Sequence, residues 1–346
     1  MNVRSLTLAL ALATLPALDL GAQAAPRWYR GNTHAHTRNS DGDSAPDSVV
    51  RWYRAHGYHF TFITDHEFIT DVAPLNAAFG APGQFLAISA QEITQRTRDS
   101  SHVDTVRQAH VNALGVTAVI RPLGPQNIAN QSIASTYARN IAEIRKAGGV
   151  PQVNHPNFRW SVRVADMAGL PDSILFEVWN GHPFVNNLGG ADSAGRWVPS
   201  HEAAWDSLLT RGKTIWGVAD DDSHSFTAEE ADVVDAARPG RGWVMVRADT
   251  LSPSAILSAL RRGDFYASTG VTLTAYAASA KEIALEIAPV YDLRYYTEFV
   301  GSGGRVLERV NGLRARYATT GTEGYVRARV TDSNGRRAWT QPVRIR

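Results

Sequence analysis

Two histidines separated by a single residue begin the part of this chain whose residue types could do chemistry. His34 and His36 lie at the end of a predicted strand, residues 28–37, and Asp41 follows in a predicted loop. Side chains alternate across a strand, so both imidazoles point to the same side. Such a pair can bind one metal ion, and the carboxylate of Asp41 can turn back toward it. The spacing therefore predicts the beginning of a metal site.

Further imidazoles and carboxylates recur close to the ends of later predicted strands, which cover residues 59–64, 85–89, 150–153 and 214–218, or open a short segment of their own. These candidates are His66, Glu92, His110, His155, Asp222 and His224. Strands that alternate with helices predict a largely parallel sheet or barrel. In barrels of this class the loops after the strands meet on one face, so ligands scattered along the chain would become neighbours in space.

The chemistry of this set favours transition metals. The chain has no cysteine, so only nitrogen and oxygen ligands are present. Imidazole with carboxylate suits Zn, Mn, Fe or Co better than Ca or Mg. Nine candidates exceed the four ligands of one tetrahedral zinc, so we expect two or three divalent ions, bridged by a carboxylate such as Glu92 or by hydroxide. A cluster of this kind lowers the pKa of a bound water and clamps the oxygens of a phosphoester.

The ordered motifs resemble those of the polymerase and histidinol phosphatase family, the PHP domain. The segment His34 to Gly42 matches H-x-H-[TS]-x-x-S-D-G, and Thr64-Asp65-His66 matches T-D-H. The later matches are Glu92 with His110, His155 before proline, and Asp222-Ser223-His224. The resemblance runs from about residue 30 to about residue 225. It implies a distorted seven-stranded (β/α) TIM-like barrel with a two- or three-metal hydrolytic site. The β-rich tail of an exported chain resembles the branch of metal-dependent phosphoesterases.

The resemblance also implies which residues share an ion. One ion would be bound by His34, His36, Glu92 and Asp222, a second by Glu92, His110 and His155, and a third by Asp41, His66 and His224. The chain departs from the family at Asp220-Asp221-Asp222, where the family usually has fewer acids. Spacing favours Asp222, although Asp220 or Asp221 could substitute for it. His102 is a rival to His110, because the loop between them has no firm register.

Several other polar residues have two readings. Asp65 is expected to orient a ligand rather than to bind metal. His182 could line the pocket or serve a turn. Asn154 and Asn180 end predicted strands near the site, where they could orient substrate or ligands or have no role in the site. Candidates to hold a phosphate are Arg121, Arg159 and Lys213. His56 and His201 fall on predicted helices and are expected to be exposed.

Length and composition predict the domain organisation. The 346 residues suit a barrel-sized domain with a small second one. A positive start, an apolar run over residues 6–18 and an A-x-A site predict a signal peptide over residues 1–24. A metallohydrolase barrel is expected over residues 27–268, and a β-sandwich-like all-β domain over residues 269–346. The mature protein would then be periplasmic or extracellular, with no membrane association.

These patterns predict a metal-dependent hydrolase, a phosphoesterase that uses a metal-bridging hydroxide on a small phosphorylated or ester substrate. The same site could instead cleave a carboxylic ester, an amide or a carbamate. A secreted binding protein with a structural metal site is the non-enzymatic alternative. Nucleic acid is not an expected partner, since the formal net charge is only +2 and no basic, aromatic stripe is present.

Overall fold

The protein has a mixed α/β fold built around one large sheet with few α-helices. The computed structural model describes residues 27–98, 106–227 and 235–345. The predicted signal peptide and His102 lie outside the described residues. None of the helices in the described ranges combines the length and the apolar character that crossing a membrane requires.

The α-helices begin at recognisable sequence signals. Ser132, Ser200 and Ser252 each precede a helix, and each hydroxyl accepts a backbone N–H of the first turn. A cap of this kind contributes about 1 kcal/mol, because it satisfies a donor that the helix itself leaves free. The α-helices are α1 Pro46–Ala55, α2 Val72–Phe79, α3 Ile133–Lys146, α4 His201–Thr210 and α5 Pro253–Arg262. Short 3₁₀ helices cover Pro125–Asn127, Phe158–Trp160, Val164–Met167 and Ser302–Gly304.

The strands of the described residues form two groups along the chain. The first group is β1 Arg27–Asn32, β2 Phe60–Ile63, β3 Leu86–Thr97, β4 Arg107–Leu114, β5 Ile128–Ala129, β6 Val150–Val153, β7 Ile174–Asn180, β8 Gly190–Ala191, β9 Trp197–Val198, β10 Ile215–Asp220, β11 Trp243–Ala248 and β12 Phe265–Ser268. The second group is β13 Leu273–Ala278, β14 Glu282–Ile287, β15 Tyr295–Gly301, β16 Arg305–Asn311, β17 Arg314–Ala318, β18 Tyr325–Asp332, β19 Arg337–Thr340 and β20 Val343–Arg344.

The large sheet mixes parallel and antiparallel pairs. Its main path runs β10-β7-β6-β4-β3-β2-β1-β11-β12-β19-β18-β15-β16. Strands β1, β2 and β3 are parallel neighbours, as are β6, β7 and β10, but β4 is antiparallel to both β3 and β6. Among the described residues the path is open, so the seven-stranded barrel remains a prediction. It also continues from β12 through β19 into the C-terminal strands.

Two strand boundaries differ from the sequence-based expectation in a way that matters for the site. β1 ends at Asn32, so His34 and His36 lie in the loop after it. β3 continues to Thr97, which places Glu92 inside the strand instead of after it. The reason is tertiary: β4 pairs along the extended half of β3, from Ala90 opposite Leu114 to Thr97 opposite Arg107. His110 lies within β4 by the same pairing.

The C-terminal strands form two layers with a shared apolar core. The three-stranded sheet β13-β14-β17 contributes Ile283 and Leu285, which pack with Phe299 and Val326 of the large sheet. The Asn334-Gly335 pair lies in the turn that joins β18 to β19, which are antiparallel. The hairpin that an Asn-Gly pair favours is therefore present, with Gly335 at a φ of 81° that glycine adopts without strain.

A buried ion cluster connects these C-terminal strands to α4. The Arg327 guanidinium is fully buried and donates to Glu202 at 2.8 Å and to Asp206 at 2.7 and 2.9 Å. His201, expected to be exposed, is also fully buried, because it packs toward Phe176 of β7, with the two rings 6.3 Å apart. Its Nε2 accepts the backbone N–H of Asn157 at 3.2 Å. The prediction for His201 was therefore wrong, whereas His56 is exposed as expected.

The ion cluster predicts a pH dependence of stability. Burial disfavours the ionised form of Glu202, but Arg327 and Arg329 outweigh it and lower the pKa to about 2, from 4.5 for a free glutamate. The carboxylate therefore stabilises the fold above pH 4.5 and loses this contribution as the pH falls toward 2, on the order of 3 kcal/mol. We expect Glu202→Gln to lower the free energy of unfolding at pH 7 and to flatten its decline in acid, measured by urea unfolding of metal-free protein.

The exposed Glu308 supplies the control for this measurement. Glu308→Gln should follow the wild-type curve across the same pH range. A Glu202→Gln curve as steep as the wild type would contradict the assignment.

Candidate metal centre

The loop after β1 positions His34 and His36 by backbone contacts to the end of the sheet. Both side chains are fully buried, and the backbone N–H of His36 donates to Ser223 at 2.9 Å. Asp65 holds the following turn, accepting from the N–H and hydroxyl of Thr37 at 2.7 and 2.8 Å and from the Ser40 hydroxyl at 2.8 Å. Asp65 thus supports the loop and contacts no imidazole by hydrogen bond among the described residues.

Glu92 lies at the centre of the site, because its two carboxylate oxygens face different imidazoles. Oε2 is 3.1 to 3.3 Å from nitrogens of His34, His36 and His66. Oε1 is 3.0 Å from His110 and 3.2 Å from His155. The position inside β3 makes this possible, since β2 and β4 on either side of it bring in His66 and His110. A single carboxylate therefore joins five imidazoles.

Asp222 approaches the same centre from the turn after β10. Its Oδ1 is 3.2 Å from His34 Nε2 and 3.3 Å from His36 Nε2. The neighbouring acids have other hydrogen-bond donors: Asp220 accepts from Gln152 at 2.9 Å, and Asp221 accepts from the Tyr53 hydroxyl at 2.8 Å. The spacing argument thus selected the acid that faces the histidines.

A third group of side chains lies nearer to solvent. Asp41 Oδ1 is 3.2 Å from His224 Nε2, and Asp41 Oδ2 is 3.4 Å from His66 Nε2. The Asp41 side chain is 56% exposed, against 23% for His66 and 19% for His224. His36 connects this group to the buried centre, with its ring 4.1 Å from that of His224. The site is therefore open to solvent on the side of Asp41.

The donor atoms fall into sets compact enough to hold ions. Within each set they lie within 4.8 Å of one another, and the sets are His34, His36, Glu92 and Asp222; Glu92, His110 and His155; His36, Asp41, His66 and His224; and His34, Glu177 and Asp220. The first three reproduce the partition that the PHP resemblance implies, with His36 added to the outer set. All nine predicted ligands are brought together, and their role as ligands remains a prediction.

The chemistry of the donors fits divalent transition metals. His36 Nε2 is buried without a hydrogen-bond partner, and it faces Glu92 and Asp222 at 3.3 Å each. An unpaired buried polar atom is costly, whereas a cation between these donors would satisfy all of them. The imidazole nitrogens and carboxylate oxygens suit Zn, Mn or Fe.

Glu177 is a functional candidate that sequence reasoning missed. Its Oε1 is 2.8 Å from His34 Nδ1, and its Oε2 accepts from the Asn180 amide at 2.9 Å. A carboxylate on the second nitrogen of an imidazole fixes the tautomer and orients the ring, so Glu177 supports His34 as a ligand. The fourth compact set is better described as this support. The only sequence signal was an acid within the apolar strand β7.

Asn154 and Asn180 both orient acidic side chains. The amide of Asn154 donates to Glu92 Oε1 at 2.9 Å, and that of Asn180 donates to Asp222 Oδ2 at 3.1 Å. Each therefore occupies one carboxylate lone pair and restricts how the acid can turn. This selects the orienting role from the two that the sequence left open.

The electrostatics separate the buried acids into two kinds. Burial raises the pKa of Glu92, but His34, His66 and His110 outweigh it and hold that pKa well below its usual range. His34 and His36 act similarly on Asp222. Asp220 behaves differently, because burial and the nearby Glu177 raise its pKa well above normal. The pKa values of the two acids that face the imidazoles are thus lowered, whereas that of the third, behind them, is raised.

Local backbone strain accompanies the site. His155 and Asp222 have positive φ values of 20° and 46°, which non-glycine residues rarely adopt. Glu67, next to His66, has a φ of 48°. Such conformations persist only where surrounding contacts impose them. Here the hydrogen bonds of Glu177 and Asn180 supply part of that constraint.

The basic candidates for substrate binding are not equivalent. The Arg159 guanidinium lies 5.4 Å from the Phe158 ring, which packs 5.3 Å from the ring of His155. Lys213 lies before β10, at the opposite end of that strand from Asp222. Arg121 contacts α3 through its carbonyl, which accepts from Arg139. Of the three, Arg159 is the one whose described contact, with Phe158, leads to a residue that packs against a site imidazole.

Comparisons with known proteins add no stronger identification. No family model matches the sequence, and no curated protein matches it. One similar solved structure is a two-domain protein from Bacteroides vulgatus that contains a predicted PHP-like metal-dependent phosphoesterase, with 15% identity, a TM-score of 0.47 and coverage of 92% of this chain and 88% of that one. Another is an amidohydrolase from Chromobacterium violaceum with bound sulfate and no metal, with 16% identity, a TM-score of 0.33 and coverage of 60% and 93%. At these TM-scores neither likeness establishes the fold or the function.

The separate donor sets predict selective metal loss. We expect the wild-type protein to hold more than one transition metal per chain. Because His34 and His155 belong to different sets, His34→Ala and His155→Ala should each lose metal while retaining part of it. Elemental analysis of the purified proteins measures this, with the exposed His56→Ala as the control that should keep the full content. Wild-type metal content in both variants would refute the ligand assignment.

The ordered motifs and the compact donor sets that they form agree, since residues matched to one family from distant parts of the chain meet in space. In both respects the chain resembles the PHP pattern.

Proposed function

We propose that the protein is a metal-dependent hydrolase that cleaves phosphoesters. The observation that supports this proposal best is the position of Glu92, whose two oxygens face imidazoles of different donor sets. A carboxylate so placed is suited to hold two ions side by side. Closely spaced ions are the arrangement that phosphoester hydrolysis uses to stabilise both attacking and leaving oxygens.

The residues that would hold the metals are the nine of the three donor sets. When bound there, divalent ions supply Lewis acidity and make a coordinated water a nucleophile near neutral pH. Other side chains keep these residues in position: Glu177 orients His34, Asn154 restrains Glu92, and Asn180 restrains Asp222. Burial of the central set keeps bulk water away from these donors, which strengthens their interaction with charge.

Substrate would reach the site from the side of Asp41, His66 and His224, which is the exposed side. An exposed aromatic side chain lies close to this side: Phe184 is 57% exposed, and its ring is 5.3 Å from that of His182, which is 5.3 Å from the ring of His224. An apolar side chain at this rim favours an ester whose leaving group has an apolar face. We therefore propose a small phosphate ester of this kind as substrate.

His182 is proposed to hold an oxygen of that substrate. Its ring lies 5.3 Å from that of His224, and its Nδ1 accepts the backbone N–H of Phe184 at 3.1 Å. Since Nδ1 accepts, the proton of this neutral imidazole is on Nε2, which can donate a hydrogen bond. Asn180 accepts from the N–H of His182 at 2.8 Å and holds the loop in place.

Export and the barrel belong to the same proposal. A signal peptide over residues 1–24 would place the mature enzyme in the periplasm or outside the cell. β10 packs against β11 and β12, which lie far from it along the sheet path, as curling into a distorted barrel requires.

Substrate preference tests the proposed reaction. We expect metal-loaded protein to hydrolyse p-nitrophenyl phosphate or bis-p-nitrophenyl phosphate faster than p-nitrophenyl acetate, since paired ions stabilise the charge of a phosphoryl transition state. Initial rates followed by p-nitrophenolate absorbance give the comparison, and His34→Ala is the inactive control. Faster acetate cleavage would replace the phosphoesterase by a carboxylic ester hydrolase. Saturated metal sites with no turnover would favour a binding protein.

The role of His182 predicts a change in KM. Because one hydrogen bond to substrate is lost, His182→Ala should raise the KM for p-nitrophenyl phosphate by about threefold to tenfold with a smaller effect on kcat. His182→Gln retains a donor and should recover part of the loss. Metal content should stay at the wild-type level in both variants. An unchanged KM in His182→Ala would exclude this contact.

A further inference from the structure

A residue of the C-terminal part of the chain, Gln341, contacts the site-bearing strand β10 at an edge without a strand partner among the described residues. Among the described residues, β10 pairs with β7 on one side, and no strand is hydrogen-bonded to its other side, because β10 is the first strand of the large sheet. An unpaired edge leaves backbone N–H and C=O groups without partners. At Gly217 these groups are both satisfied by one side chain: the N–H donates to Gln341 Oε1, and the C=O accepts from Gln341 Nε2, each at 2.8 Å.

Gln341 therefore takes the place of a neighbouring strand at this point. Its side chain is only 4% exposed, and it follows β19 in the chain. A primary amide can reproduce both hydrogen bonds of a strand residue, because it carries a donor and an acceptor side by side. Gly217 itself is required by a different neighbour, since a Cβ there would meet the Trp205 ring at 2.8 Å.

A second C-terminal contact holds the helix that covers β10. Trp205 of α4 donates its indole N–H to the Ile215 carbonyl at 2.9 Å, which ties the helix to the strand. The same helix carries Asp206, which accepts from buried Arg327 and from the Tyr325 hydroxyl at 2.7 Å. β10 is thus held by C-terminal residues directly at its edge and indirectly through α4.

This bracing matters because β10 leads straight into a strained ligand turn. Gly217 precedes Asp222 by five residues, and Asp222 has a φ of 46°. A residue in this region of φ and ψ needs external contacts to stay there. We infer that Gln341 is a positioning residue for the metal centre, which holds β10 so that Asp222 and His224 face the imidazoles of the loop after β1. The inference rests on the donor sets of the proposed function and does not depend on which bond is cleaved.

The chain offers a matched control. Gln95 makes the same pair of bonds to Leu123, donating to its carbonyl at 2.9 Å and accepting from its N–H at 2.7 Å. Leu123 lies in a loop that carries none of the nine predicted ligands. Gln95→Ala therefore removes the same pair of hydrogen bonds from the loop of Leu123, which does not lead into the turn of Asp222.

Two measurements on the full chain test the inference. In hydrogen exchange of the metal-free protein, Gln341→Ala should increase exchange over residues 219–224, and Gln95→Ala should not. In titrations with zinc alone, Gln341→Ala should bind at least one ion about tenfold more weakly, as expected when an orienting contact is lost. Gln341→Met fills the same space without the two bonds and should behave like Gln341→Ala.

The outcomes separate this inference from the proposed function. Wild-type exchange over residues 219–224 in Gln341→Ala overturns the positioning role, whatever the protein catalyses. If Gln341→Met has wild-type hydrogen exchange over residues 219–224 and wild-type zinc affinity, Gln341 acts only by filling space, and the positioning role is overturned. Normal positioning with no turnover on any ester would leave the inference intact and refute the phosphoesterase proposal.

Discussion

The structure depends on one buried carboxylate. Glu92 is 1% exposed and lies among imidazoles of His34, His36, His66, His110 and His155, with nitrogen to oxygen distances of 3.0 to 3.3 Å. A buried charge is tolerated only when it is paired and hydrogen-bonded. The five imidazoles and the Asn154 amide meet that condition from loops and strands far apart in sequence. This constraint determines how β1, β2, β3, β4 and β6 must be arranged.

Side chains around the imidazoles and carboxylates fix their orientation. Glu177 fixes the orientation of His34, and Asn180 restrains Asp222 and Glu177 together. Asp220, with its raised pKa, lies behind them with a buried oxygen that has no hydrogen-bond donor. These groups restrict the rotation of the imidazoles and carboxylates at the centre of the site. Preorganised donors of this kind favour binding of a cation, because little reorganisation is needed when it arrives.

The C-terminal strands are part of this architecture. The large sheet continues through the pairing of β12 with β19, and Arg327 buries its charge against Glu202 and Asp206 of α4. Breaking a buried ion cluster leaves uncompensated charge, which resists separation of the two parts of the chain. The predicted boundary near residue 268 is thus crossed by hydrogen bonds, an ion cluster and the Gln341 contact. The two parts share contacts around one site.

The sequence by itself determined which residues could act and in what order they occur. The H-x-H pair, the T-D-H motif and the D-x-H motif are local patterns, and the alternation of apolar strands and amphipathic helices is local as well. The strand β6 has the predicted bounds, and the Asn334-Gly335 hairpin forms, because turn chemistry and periodicity act over a few residues.

Tertiary structure alone decided what those residues face. Pairing with β4 extended β3 and placed Glu92 inside a strand, and packing of α4 against β7 buried His201. Glu177 and Gln341 carry no local signature, since their roles depend on partners more than a hundred residues away in the chain. A hydrogen bond between distant segments has no periodicity to read, so only the packed fold could assign these positions. Local chemistry named the candidate ligands, and long-range packing arranged them around one carboxylate.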